Sequence, residues 1–361
     1  MSRHQSRQPN RQPRLARLAS AAALALGGLA VAAAFAARPA AAGETFDAVK
    51  ARGHVICGVN AGVAGFSAPD ARGNYQGLDA EYCRAIAAAM FGDASKVRFV
   101  ATTHQTRFVV LQSGEVDVLA RNVTQTLTRD TNLGFNFAGV NFYDGQGFMV
   151  RRSSGVTSAR QLDGASVCVV AGSTTELNLA DFARRERIRI NPVVAGTFEE
   201  MLPAYNAGRC DAVTTDASQL AALRVSAVTG GPDEHVILPE RISKEPLGPM
   251  VRHGDEQWRD LVQWVHFAMV EAEELGITRA NVEELRRTSQ DPNIQRFLGV
   301  TPGFGRALGV SEDWAYQIIR QVGNYGEVFE RTLGKGSPIG LERGLNDLWT
   351  RGGLQYALPL R

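Results

Sequence analysis

Six histidines, four cysteines and no close-set group of either leave little from which to build a metal centre. The chain has no C-x-x-C pair, no H-E-x-x-H, no G-x-S-x-G and no P-loop, so zinc sites, serine-hydrolase chemistry and phosphate cradling by those routes find no support. The nearest approach to a dinucleotide loop, "GFGRALG" from Gly303, follows Thr-Pro rather than a strand. No metal and no cofactor are expected. Clustered carboxylates of the kind that serve acid–base pairs are missing too. Past residue 43 no stretch is long and apolar enough to span a bilayer.

The first residues do carry such a stretch. "MSRHQSRQPNRQPRLARLASAAALALGGLAVAAAFAARPAAAG" has an arginine-bearing head, an Ala/Leu-rich core and the small residues Ala40 to Ala42, the layout of a secretory signal. Residues 1–42 are therefore expected to be cleaved, leaving a soluble, exported chain; a retained anchor is the competing reading. Cleavage removes Arg3, Arg7, Arg11, Arg14, Arg17 and Arg38 and no acid. Formal charge then moves from +2 to −4, with 33 basic residues against 37 acidic ones. The basic balance of the whole chain thus belongs to the export signal and gives no ground for nucleic-acid binding.

In an oxidising compartment the four cysteines suggest disulfides. Of the three possible pairings, only Cys57–Cys83 with Cys168–Cys210 closes each bridge between sequence neighbours within one domain. Four small buried hydrophobes are the alternative.

About 320 mature residues suit two domains. From Val55 the pattern runs strand "VICGV", turn-rich "NAGVAGFSAPDARGNYQG", then helix "LDAEYCRAIAAAMFG", with Asp79 as its N-cap and Gly92 as its stop. Strand, helix and strand follow in "VRFV", "RFVVLQSG" and "VDVLA". A second run from Gly164 repeats the alternation, and "LQSGEVDVLARN" parallels "YNAGRCDAVTTD". This predicts an α/β protein of two lobes, each a mainly parallel sheet flanked by helices. The extended stretches "YDGQGFMVRR" and "SKEPLGPMVRHG" read as two hinge strands between them. The expected division is 43–148 with 249–361 for lobe 1, including a C-terminal helical extension in which Ser311 caps "EDWAYQIIRQV", and 149–248 for lobe 2.

Open α/β sheets bind ligands beyond the carboxyl ends of their strands. Two polar loops fall there, "RNVTQTLTR" after Ala120 and "AGSTTE" after Val170, with Asp216 ending a third strand. Their chemistry suits a zwitterion. Arg129 offers a planar fork for a carboxylate, Thr124 and Thr174 can add hydroxyl hydrogen bonds, and Asn122 lies in the same loop. The backbone around Ser173 opens a helix and favours an anion, while Asp216 supplies the charge for an ammonium. Each has a plainer reading: a solvated Arg-Asp pair, a Ser N-cap, an Asp cap on "ASQLAALR". Phe66 and Val63, in the first βα loop, are candidates for a pocket wall, and His104 for a contact to a ligand side chain; core packing and a polar cap are their alternatives.

These residues carry a resemblance. The stretches "GVNAGVAGFSAPDARGNYQGLDAEYCRA", "LQSGEVDVLARNVTQTLTRDTNLGFNFAGVNFYDGQGFMV", "AGSTTELNLADF", "AGRCDAVTTD", "ISKEPLGP", "VGNYGEVFER" and "RGLNDLW" resemble the periplasmic solute-binding proteins of polar amino acid ABC importers, in particular the general L-amino acid-binding subgroup. The resemblance implies the type II periplasmic binding protein fold, closing on one free L-amino acid and handing it to membrane permease subunits. It implies a monomer without catalysis, in which Thr124 and Arg129 hold the α-carboxylate end, Ser173 and Thr174 line the second lobe and Asp216 holds the amine. At Val63, where many relatives carry an aromatic over the ligand, this chain departs, which fits broad specificity. An exported lyase of the cyclohexadienyl dehydratase kind, on the same fold, and an amino acid sensor are the alternatives.

Overall fold

The computed structural model describes residues 44–361, so the signal-peptide expectation lies outside the described residues. An opening helix α1 (Glu44–Arg52) leads into strand β1 (Val55–Asn60), which is buried along its whole length. Helix α2 (Leu78–Phe91) follows, then β2 (Val97–Thr102), α3 (Arg107–Gln112) and the short β3 (Val118–Leu119). β1 pairs in parallel with both β2 and β3. β4 (Phe135–Phe137) completes this sheet only with help from a strand far along the chain, β12 (Met250–Arg252), giving the order β2-β1-β3-β12-β4.

The second sheet is built from β6 (Gln146–Arg151), β7 (Ser166–Val170), β8 (Asn191–Ala195), β9 (Ala212–Asp216) and β10 (His235–Ile237), in the order β8-β7-β9-β6-β10. β7 is parallel to β8 and β9, whereas β6, which enters from the hinge rather than from a crossover helix, is antiparallel to both of its neighbours, β9 and β10. Helices α4 (Thr174–Glu186), α5 (Phe198–Asn206) and α6 (Ala217–Ser226) cover it.

Between the sheets runs an antiparallel pair, β5 (Phe142–Asp144) with β11 (Glu245–Leu247). Glycine is required beside it: a Cβ on Gly248 would collide with the carbonyl oxygen of Gly139.

Each sheet has its own core. The larger one gathers α2 with the later helices α7 (Glu256–Glu274), α8 (Val282–Thr288), α9 (Pro292–Phe297), α10 (Phe304–Leu308), α11 (Trp314–Gln321) and α12 (Tyr325–Thr332), so the C-terminal extension packs on the first sheet. The second sheet is covered by separate apolar clusters on its two faces, one around Phe148 and Phe182 and the other around Met149 and Tyr205. Cys57 on β1 is bonded to Cys83 on α2 with Cα atoms 6.3 Å apart, and Cys168 on β7 to Cys210 at 5.7 Å.

Two cap assignments need correction. α2 starts one residue before Asp79, with Gly77 at the cap, because the Asp79 carboxylate is drawn inward to accept the Asn122 N–H at 2.9 Å. Ser311 does not cap α11, which starts at Trp314; the Ser311 hydroxyl donates to the Asp313 carboxylate instead.

Candidate functional site

The polar strand-end loops of the two sheets face each other across a cavity. Asn122, Thr124 and Arg129 line one side and Ser173, Thr174 and Asp216 the other. His104 also lines it. The cleft is closed: Gln105 donates to the Gly196 carbonyl at 2.6 Å, and the His104 ring lies 5.3 Å from that of Phe198.

The first loop is held by the returning hinge strand. Gln125 N–H donates to Pro246 at 2.7 Å and Gly248 N–H to Val123 at 3.0 Å, so residues 123–125 run alongside β11. Asn122 turns the chain into this path with φ +44°, a left-handed conformation that Asn tolerates better than most residues. Arg129 folds back from a wide turn at Thr128–Asn132, donating to the Thr124 carbonyl at 2.7 Å, with its guanidinium 5.3 Å from the Phe108 ring centre.

Arg129 does not stand alone. Arg107 rests on the same phenyl ring at 4.6 Å and lines the cavity, and Arg121 lies behind, donating to Asn60. All three are buried, and Nε of Arg107 and Nε and Nη1 of Arg121 have no hydrogen-bond partner among the described residues. Burial lowers the pKa of each: it holds Arg121 at about 10, against the opposing charge of Asp79, and Arg107 well below the guanidinium range, where repulsion from Arg121 and Arg129 adds to the effect. Arg129 is lowered by burial but supported by Glu245 and Asp216. Burial, with the same three arginines, depresses the His104 pKa strongly, so this imidazole is neutral. No carboxylate reaches ion-pair distance of Arg107 or Arg129 among the described residues.

The opposite wall is acidic. Asp216 ends β9 at the N-cap position of α6, yet its side chain makes no capping bond. Burial raises its pKa well above the carboxylate range, and repulsion from Asp144 and Glu245 adds to the shift. Ser173 does take its plainer role: its hydroxyl caps α4, accepting from Glu176 N–H at 3.2 Å and donating to the Val170 carbonyl at 2.6 Å. That leaves the first amides of α4 toward the cavity, the end of a helix that favours negative charge.

Phe66 and Val63 are corrected. Both sit in the first core rather than on the cavity: Val63 exchanges backbone bonds with Ser67 in a tight turn, and this tucks Phe66 edge-on against Phe142 at 5.2 Å. The sequence reading passed over Arg107, Phe198, Gln219 and the β9 hydroxyls of Thr214 and Thr215, all of which line the cavity. It also passed over Glu245, which does not line it. Arg107 had a local signal, three residues after His104 at the end of β2; Phe198 and Gln219 had none.

Residues 55–277 match the bacterial extracellular solute-binding proteins, family 3. The chain is 55% identical over 324 residues to the general L-amino acid-binding periplasmic protein AapJ of Rhizobium johnstonii, spanning 89% of this chain and 94% of that protein. It is 53% identical over 322 residues to the glutamate/glutamine/aspartate/asparagine-binding protein BztA of Rhodobacter capsulatus, spanning 89% and 95%. Among solved structures, an ABC transporter periplasmic binding protein from Brucella ovis with glutathione bound superposes with a TM-score of 0.86 at 53% identity, covering 88% of this chain and 99% of that one. With its paired sheets, twin hinge strands and strand-end cleft, the chain belongs to the bacterial extracellular solute-binding proteins, family 3.

Proposed function

We propose that the chain is the substrate-binding component of an ABC importer, capturing one free L-amino acid in the cleft and presenting it to membrane permease subunits. The observation that carries this reading is Asp216, a buried carboxylate at a helix-cap position that caps nothing, across the cavity from the buried Arg129 fork. An α-carboxylate on Arg129 and the first amides of α4, with an α-ammonium on Asp216, matches charge to charge in a site where burial penalises each unpaired charge. The two lobes, one built on each sheet, would swing about β5 and β11, and an exported monomer working in the periplasm is the form this reading needs. AapJ and BztA, named for amino acid binding, support it at 55% and 53% identity.

The unpaired charge of Arg107 adds a preference. A ligand whose side chain ends in a carboxylate or amide gives that guanidinium an acceptor, so glutamate, aspartate and their amides should rank first within a broad range. The Brucella ovis structure favours one further ligand. Glutathione carries a free α-carboxylate and α-ammonium on its γ-glutamyl end, the same head group that Arg129 and Asp216 suit.

The test is isothermal titration of protein unfolded and refolded to strip carried ligand, against the twenty L-amino acids, D-enantiomers, glutathione and prephenate. One-to-one binding of several L-amino acids without turnover supports a carrier. Prephenate consumption would instead make this an exported lyase, with the neutral His104 as the group to examine first.

A further inference from the structure

Glu245, on the returning hinge strand β11, is 1% exposed and forms no ion pair among the described residues, with Arg129 near enough only to feel its charge, yet it is crowded with donors. Its Oε2 accepts the Thr124 hydroxyl of the first lobe at 2.6 Å and the Thr174 hydroxyl of the second at 2.9 Å. Its Oε1 accepts Asn178 Nδ2 at 2.8 Å and the Ser243 hydroxyl at 2.5 Å. A carboxylate has about four acceptor sites and no proton to give. All four are filled, so Glu245 has nothing left for a ligand, and it lies behind the cavity wall rather than on it.

The consequence falls on the two threonines. A hydroxyl owns one proton, and a carboxylate at these distances claims it as a charge-assisted bond. Thr124 and Thr174 lie 3.4 Å apart, and both line the cavity. With both protons turned back toward Glu245, what these oxygens offer the ligand is lone pairs alone. They cannot donate to a carboxylate, as the sequence reading has them do; they can only accept.

The geometry points to Glu245 as a positioning residue that fixes the proton direction of Thr124 and Thr174, making both hydroxyls acceptors and so selecting an α-ammonium over an α-hydroxyl. The inference rests on the zwitterion reading of the cleft. It adds a residue that never touches the ligand and yet sets the polarity of two groups that do. In E245Q the amide N–H₂ would donate to the threonines, freeing their protons to point into the cavity.

The decisive measurement is a selectivity ratio. Binding of L-glutamate against (S)-2-hydroxyglutarate, and of L-alanine against L-lactate, is titrated for wild type, E245Q and Glu245→Asp. Wild type should favour the amino acid at least 100-fold, and E245Q should shrink that ratio at least tenfold. Glu245→Asp keeps the charge but is one methylene too short to reach both hydroxyls, so its ratio should also shrink, and it stands in should E245Q not fold. An unchanged ratio in folded E245Q overturns the inference. So does a wild-type ratio in Glu245→Asp, which would leave only the field of the charge. Ser243→Ala removes a donor from Oε1 alone and should keep the ratio. Wild-type protein that binds none of the four ligands would sink the zwitterion reading itself, a different failure from wild-type binding with an indifferent Glu245.

Discussion

The two walls of the cleft follow one plan and carry opposite charge. Each is a polar loop at the carboxyl end of a parallel strand, but the first gathers Arg107, Arg121 and Arg129, and the second Asp216 with Asp144 behind it. Basic groups thus dominate the first wall, with the buried Asp79 near Arg121, acidic groups dominate the second, and no ion pair joins the two across the gap among the described residues. Burial penalises every one of them, and a ligand carrying both signs relieves both walls at once. The proposed closure on a zwitterion would draw on that division, since neither wall alone offers a ligand more than half a partner.

The sharpest way to break the comparison is to remove the cation proposed to face the ligand carboxylate. Arg129→Ala should weaken amino acid binding by about 2–5 kcal/mol, measured by titration calorimetry, because it strands a ligand carboxylate in a buried site. Near-wild-type affinity would move the carboxylate to Arg107. The bridges compare the lobes themselves. With sequence separations of 26 and 42, chain entropy gives Cys57–Cys83 about 3.5 kcal/mol and Cys168–Cys210 about 4 kcal/mol, so removing either by paired Cys→Ala substitution should lower urea stability by similar amounts.

Asp216→Asn keeps the shape of the acidic wall and removes its charge, and should cost about 1.5–3 kcal/mol in affinity for amino acids. Its raised pKa also makes wild-type affinity fall on acidification, because the ammonium needs the ionised carboxylate and the bound form must shed that proton. Titrations across pH in buffers of different ionisation enthalpy should detect proton release, absent in the Asn variant.

On the first wall the buried Asp79 is pushed up to about 7, chiefly by burial. Between the ordinary carboxylate value of 3.8 and that value the folded chain keeps a proton that the unfolded chain has lost, so stability falls as pH rises through this window. Asp79→Asn should flatten that slope in urea titrations from pH 4 to 7. His266, held at about 4 by burial, tilts the other way below 6.5, so the difference between wild type and variant is the quantity to compare. Phe66→Leu should have the smallest consequence, about 1 kcal/mol of stability with unchanged affinity, since the ring packs in the core.

Much of this was legible in the sequence because it is local. β1, α2 with its Gly92 stop, β7 and β9 announce themselves by pattern, and Arg129 and Asp216 by their place after strands. The misses share a cause of the opposite kind. Glu245 meets Thr124 across 121 residues because the chain returns through the hinge, and Asp79 leaves its cap role for an amide 43 residues away. Phe66 looked like a pocket wall because its surroundings are rich in turn residues; the Val63–Ser67 turn then pointed it inward. The division of charge between the walls was invisible for the same reason, since only folding brings Arg107, Arg121 and Arg129 together.

The cysteine connectivity has an implication for biogenesis. A chain emerging N-terminus first exposes Cys57 and Cys83 before Cys168 and Cys210, so joining each cysteine to the next to appear yields the native set. An oxidant that acts on cysteines in order of arrival is sufficient, and reshuffling by an isomerase has nothing to correct.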